Sequence, residues 1–174
     1  MSAGDLDGRI GEAWAGTVPD GSHINVVVAR RGSPTAAAAA GVLASPRPGH
    51  APFLVCPTGG GEIVRPATIV VNKSTIGDAR LGRITWGAAQ LGIAQGVLDA
   101  LADGTLAPED ADDLVLLVAL WVDPDARDET AVRVANRAAM RDALADAVAP
   151  VAADAVRELV ARREDVGNAF YGGA

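Results

Sequence analysis

Hydrophobic spacing divides the chain into extended and helical runs in the order β-β-α-β-β-α-β-α-α. Ile10 to Gly16 reads as a short first strand, and Val18-Pro19-Asp20-Gly21-Ser22 as a turn. His23 to Ala29 is rich in β-branched residues and predicts a strand. Arg30 to Pro34 stops it; Ser33 can cap a helix with Pro34 in its first turn, and that helix runs over Thr35 to Ala44. Phe53 to Cys56 and Thr68 to Val71 are short strands joined through Gly59-Gly60-Gly61. A long helix follows from about Asp78 to Asp103, ended by Gly104. Gly82, Gly87, Gly92 and Gly96 recur along it, which predicts either a seam against a neighbouring element or room for a flat ligand. Pro108 to Asp113 is an acidic turn, and Leu114 to Val122 is an apolar run that predicts the most buried strand. Asp128 to Val148 has helical periodicity; Pro150 interrupts it, Val151 to Arg163 continues as a second helix, and the paired glycines after Tyr171 predict a flexible end.

Strands separated by helices predict an α/β (α+β) two-layer sandwich with a single mixed sheet and helices on one face. The 174 residues suit one domain, without internal repeats. Apolar residues make up 49% but aromatics only 3%, so alanine, valine and leucine must fill the core and backbones must approach closely. Such an apolar chain suits a subunit of a homo-oligomer, because obligate subunit faces resemble a cut core. A net charge of −7 argues against nucleic-acid binding, which needs a basic stripe. No apolar run reaches the ~18 residues of a membrane span, and Met1 to Asp7 is short, polar and acidic. A cytoplasmic location is expected. Cys56 has no partner for an internal disulfide and is read as a small buried residue.

The residues that could carry chemistry gather in two places. His23 opens a strand after a turn, where an imidazole can be part wrapped and part exposed, ready to exchange protons near neutral pH. Asn72-Lys73-Ser74-Thr75 ends a strand just before the long helix; Lys73 and Thr75 share a face if the strand persists that far. Asp78 reads as a helix cap and Arg80 as a surface charge. Gln90, on a helix of small residues, either bonds a neighbouring strand or faces a cleft; Leu54 reads as core and His50 as surface. Ligand spacing for zinc, a dinucleotide fingerprint, a phosphate loop and a nucleophile elbow are all missing from the sequence, so no metal is expected. The acidic turn lacks the glycine and closing glutamate of a calcium loop.

Taken together, Ile10-Gly11-Glu12-Ala13, His23-Ile24, Arg31-Gly32-Ser33-Pro34, Asn72-Lys73 with Thr75-Ile76 and Ala79, Gly87 with Ala89-Gln90, and Ala111-Asp112-Asp113-Leu114 resemble the formaldehyde-activating enzyme family. The likeness spans about residues 10 to 125, and the C-terminal helices look less like the family. It implies one such domain over 1–174, with 150–174 a variable C-terminal extension. The implied fold is the ribosomal protein S5 domain 2-like sandwich, usually assembled as a pentamer.

The implied activity is that of a hydro-lyase. Formaldehyde condenses with tetrahydromethanopterin, a co-substrate rather than a bound cofactor, to give the methylene-bridged pterin and water. By resemblance His23 is the catalytic acid, while Leu54, Lys73, Thr75 and Gln90 match pterin-contacting positions. Asn25 stands where the family commonly carries Asp, a residue expected to contact the pterin; an amide still hydrogen-bonds but cannot take up a proton. Trp86-Gly87-Ala88-Ala89-Gln90 departs from the family's Phe-Gly-Pro-Ala-Gln. Two other readings stay open: another carbonyl–amine condensation or small substrate, and a pterin-binding protein without turnover.

Overall fold

A computed structural model describes residues 6–57, 60 and 62–167. Strands β1 (Arg9–Ala15), β2 (Ser22–Arg30), β3 (Phe53–Leu54), β4 (Ala67–Asn72) and β5 (Leu114–Val122) form one sheet in the spatial order β1-β2-β5-β4-β3. β4 and β5 run parallel and the other neighbours antiparallel, so the sheet is mixed. Helix α1 (Pro34–Leu43) lies between β2 and β3 in the chain. The β4–β5 crossover is α2 (Ala79–Arg83), a π-helical turn (Ile84–Ala89) and α3 (Gln90–Ala102) in one run. Helices α4 (Glu129–Val148) and α5 (Ala155–Ala161) follow β5.

Side chains alternate across a strand, and the two faces of this sheet differ. Ile24, Val26 and Val28 of β2 and Leu114, Leu116, Val118, Leu120 and Val122 of β5 are buried on one face. They share a core with Ile93, Val97, Met140 and Leu144 of α3 and α4. Helix α4 packs on β1, β2 and α3. It comes so close to β1 that a Cβ on Gly11 would lie 2.0 Å from the Ala143 carbonyl oxygen. Gly92 and Gly96 form the seam with α4 that their spacing predicted, against the Arg133 and Arg137 carbonyls, whereas Gly87 faces open space. The small-residue core follows from this geometry: with so few aromatics, the layers close by bringing backbones together.

The opposite face takes the alternate positions: Ile10, Glu12 and Trp14 of β1; His23, Asn25 and Val27 of β2; Leu117, Ala119 and Trp121 of β5; and Leu54 of β3. Helix α1 leans on β2, β4 and β5 but contributes nothing to the main core, and Ala39 is its one buried residue. Ile10 is 66% exposed.

The predicted order of elements is present, and several details differ. Ser33 caps α1 through Ala36 N–H at 3.1 Å with Pro34 in the first turn, as its spacing predicted. Asp78 likewise caps α2 through Leu81 N–H at 2.7 Å. The long helix is not uniform. In the π turn the Gln90 N–H reaches back to the Thr85 carbonyl, and the Gln90 side-chain amide donates to the Trp86 carbonyl at 2.5 Å. β3 holds only two residues, although Val55 N–H still bonds the Thr68 carbonyl of β4 at 3.0 Å. Leu54 is therefore not core: it sits on an edge strand, on the face without α2–α4, and is exposed. Cys56 is exposed rather than buried, since it lies past the end of that edge strand. The final helix is shorter than predicted, and Val156, Leu159 and Val160 on it are exposed. The C-terminal glycines, and Gly59 and Gly61 of the predicted linker, lie outside the described residues.

Candidate active site

Antiparallel pairing sets Trp14 opposite His23 and Glu12 opposite Asn25, while β5 places Trp121 on the other side of His23. Trp14 lies 6.0 Å from the His23 ring and 5.0 Å from Trp121, centroid to centroid. These two indoles, Glu12 and Lys73 enclose the imidazole, which is only 3% exposed. It is thus more deeply set than its position after a turn predicted. The extra cover is aromatic, and comes from the neighbouring strand β1 and from β5, nearly a hundred residues away in sequence.

Both ring nitrogens are engaged. Nε2 lies 2.5 Å from Glu12 Oε1 and Nδ1 lies 3.0 Å from Lys73 Nζ. Lys73 Nζ also donates to Asn25 Oδ1 at 2.8 Å. Lys73 reaches this face because its N–H bonds the Leu120 carbonyl at 2.6 Å, one residue beyond the end of β4. Partial burial pushes the Lys73 ammonium below its ordinary value of 10.5, and the Glu12 carboxylate works against that shift. Asn25, with an amide where a carboxylate was expected by resemblance, still anchors the ammonium through its oxygen.

The remaining predicted residues are arranged apart from this cluster. Strand alternation does not carry Thr75 to the side of Lys73, because the strand ends at Asn72. Thr75 instead bonds His50 Nε2 at 3.0 Å, and His50 Nδ1 donates to the Asn72 carbonyl at 2.8 Å. His50 is therefore no idle surface residue: it ties its own loop to the end of β4. Gln90 accepts from Cys56 N–H at 2.8 Å, just past the end of β3, and it also lines a groove of about 460 Å³ with Trp86, Leu91 and Arg133, so it faces a cleft. A wider groove of about 810 Å³ lies on the other side of half-exposed Trp86, lined by Ile76, Asp78, Arg83 and Glu129. Arg80 is committed to the fold: its guanidinium donates to the Pro124 carbonyl at 2.8 Å and to that of Ala126. Leu54 is three strands from β2 in the sheet order, roughly 14 Å at the usual strand spacing.

Glu12 is the residue that sequence reasoning missed as a functional group. It lay inside a matched segment, but a glutamate on a first strand reads as a solvated face. Only the register of β1 on β2 aims it at His23. Among the described residues no cluster of His, Cys, Asp and Glu could hold a metal ion, and no helix is long and apolar enough to cross a membrane.

Similarity to known proteins agrees with this geometry. The sequence pattern of the formaldehyde-activating enzyme (Fae) family matches residues 10–171. The chain is 37% identical over 131 residues to the 5,6,7,8-tetrahydromethanopterin hydro-lyase of Methanosarcina barkeri, covering 75% of this chain and 73% of that protein. It is 32% identical over 125 residues to the bifunctional enzyme Fae/Hps of Methanothrix thermoacetophila, 71% of this chain but 31% of that longer protein. The bifunctional enzyme Fae/Hps of Archaeoglobus fulgidus is 29% identical over 131 residues, with 33% of its length covered. On a match that runs nearly end to end, this chain belongs to the formaldehyde-activating enzyme family.

Proposed function

We propose that this protein condenses formaldehyde with tetrahydromethanopterin, or a closely related reduced pterin, to give the methylene-bridged pterin and water, with His23 as the general acid. The observation that carries the reading is the His23–Lys73–Asn25 cluster on a chain that shares 37% identity with a tetrahydromethanopterin hydro-lyase.

The chemistry fits these residue types. A ring nitrogen of the pterin adds to the carbonyl carbon and gives a carbinolamine. Hydroxide is a poor leaving group, so the C–O bond breaks as an acid delivers a proton to the departing oxygen, which leaves as water. The second ring nitrogen then attacks the resulting iminium carbon, closes the bridge and gives up its proton. A positioned acid contributes roughly 10²- to 10⁴-fold, and holding both nitrogens beside one carbon supplies the rest. On this reading the reacting carbon approaches from the side of half-buried Lys73 and Asn25.

Asn25, Leu54, Lys73, Thr75 and Gln90 are the proposed pterin contacts. Leu54 and Gln90 sit toward the far edge of the sheet from His23. A pocket that uses all of them is shared between copies of the chain, which supports a homo-oligomer, a ring of five by family resemblance. Residues 150–174 serve as a variable extension, in keeping with the exposed apolar side chains of α5. The reading is tested by following absorbance after mixing formaldehyde and tetrahydromethanopterin with the protein. Saturable turnover above the spontaneous rate is expected, and a rate equal to the spontaneous one overturns it.

A further inference from the structure

We propose that Glu12 is the positioning residue for His23: its carboxylate accepts a hydrogen bond from Nε2–H and so keeps Nδ1, on the Lys73 side, as the atom that delivers the proton. This rests on the reading of His23 as the acid. Proton counting leads to it. The Lys73 ammonium has three hydrogens and no lone pair, and it lies 3.0 Å from Nδ1, so in that state Nδ1 must be the acceptor. A neutral ring then carries its hydrogen on Nε2, where Glu12 Oε1 receives it at 2.5 Å. The two neighbours together set one tautomer.

Burial says that this contact is more than a way to satisfy a structural histidine. The Glu12 side chain is 46% exposed while that of His23 is 3% exposed. A carboxylate on the edge strand β1 has water available, yet it is drawn in against a buried imidazole. The pairing of β1 on β2 makes the reach short, because Glu12 is the diagonal neighbour of His23. Charged groups face the ring from two elements, Glu12 from β1 and Lys73 from the end of β4, while β5 presents the Trp121 indole. Glu12 thus supplies the negative charge of the cluster, which an amide at position 25 does not.

The cycle balances. The proton that the second pterin nitrogen gives up on closing the bridge reloads the ring at Nδ1; Nε2–H to Glu12 then becomes a charge-assisted bond, and Lys73 stays on Asn25 Oδ1. The Nδ1–H bond then breaks as the proton joins the carbinolamine oxygen and the C–O electron pair leaves with water. The freed Nδ1 lone pair accepts from Lys73 again. Glu12 steadies the loaded acid and Lys73 the spent one.

The chain has two histidines, so its imidazole ¹⁵N spectrum is simple, and His50 serves as an internal reference. The test compares wild type, Glu12→Gln and Glu12→Ala by imidazole ¹⁵N NMR at neutral pH, alongside kcat and KM. The expected wild-type pattern is the Nε2–H tautomer. In both variants the His23 Nε2 signal moves away from its wild-type, carboxylate-bonded position. At neutral pH kcat drops about tenfold or more, KM stays within about twofold, and the His50 signals hold still. An unchanged His23 Nε2 signal, or an unchanged kcat, in Glu12→Ala overturns the proposal. A shifted His23 Nε2 signal in a protein that never outpaces the spontaneous condensation instead overturns the assigned reaction, while the NMR result keeps the Glu12–His23 pairing.

Discussion

The two faces of the sheet are built from the same strands, one residue apart, yet they do opposite jobs. The helix-covered face is apolar and so closely packed that Gly11 has no room for a methyl group. The other face leaves Ile10 and Leu54 exposed and carries His23, Asn25, Glu12 and Lys73 in one hydrogen-bonded row. The rigid face holds the register of β1 on β2 and of β2 on β5. That register brings a carboxylate, an imidazole and an ammonium to bonding distance on the other side. Precision in the site is thus inherited from packing that the substrate never touches.

Neighbouring substitutions on β5 should separate the faces most sharply. Leu116 is fully buried under the helices and Leu117 is half-buried on the open face. Leu116→Ala is expected to cost about 2–5 kcal/mol in urea unfolding, and Leu117→Ala about 1 kcal/mol or less in the isolated subunit. Equal losses that grow with protein concentration would mean that another copy covers the open face in solution. On β1, Gly11→Ala should cost about 1–3 kcal/mol, since the new methyl meets the Ala143 carbonyl and the backbone of Ala147 rather than a movable side chain. Ile10→Ala, next to it and 66% exposed, should stay within about 0.5 kcal/mol.

Titration probes the faces more gently. Burial holds the folded-state pKa of Lys73 below its unfolded value of 10.5. The unfolded chain therefore binds more protons between the two values, so stability rises with pH through that window. Lys73→Met should remove that part of the slope in denaturation measured from neutral to alkaline pH. The smallest effect lies at the acid end. Asp7 is lowered by the Arg30 N–H and the Ser33 hydroxyl, and Asp20 by the N–H groups of Arg127 and Asp128. Their contribution is complete above the ordinary value of 3.8 and is lost as pH falls through their lowered values. Asp7→Asn and Asp20→Asn should each flatten the acid limb of the stability curve slightly.

Much of this was legible in the sequence where the signal was local. The order of elements, the Ser33 and Asp78 caps and the glycine seam at Gly92 and Gly96 follow from propensity, capping chemistry and helical spacing. His23 and Lys73 were picked as chemistry-bearing residues, and the fold joins them. What stayed hidden depends on strand register. Glu12 becomes a partner of His23 only once β1 pairs with β2, and Trp14 and Trp121 close over the ring only once β2 lies between β1 and β5. Leu54 and Cys56 were misread as buried because a short apolar run does not announce that it is an edge strand. His50 was passed over because its partners, the Asn72 carbonyl and Thr75, lie beyond the intervening strands.

The central claim is that the open face does chemistry through one enclosed imidazole. It is tested most directly by the rate of methylene-bridge formation from formaldehyde and tetrahydromethanopterin with wild type and His23→Ala, each corrected for the spontaneous reaction. The account predicts a loss of about 10²- to 10⁴-fold in His23→Ala, in a variant that still unfolds cooperatively in urea above the assay conditions. A variant that keeps the wild-type rate would contradict it.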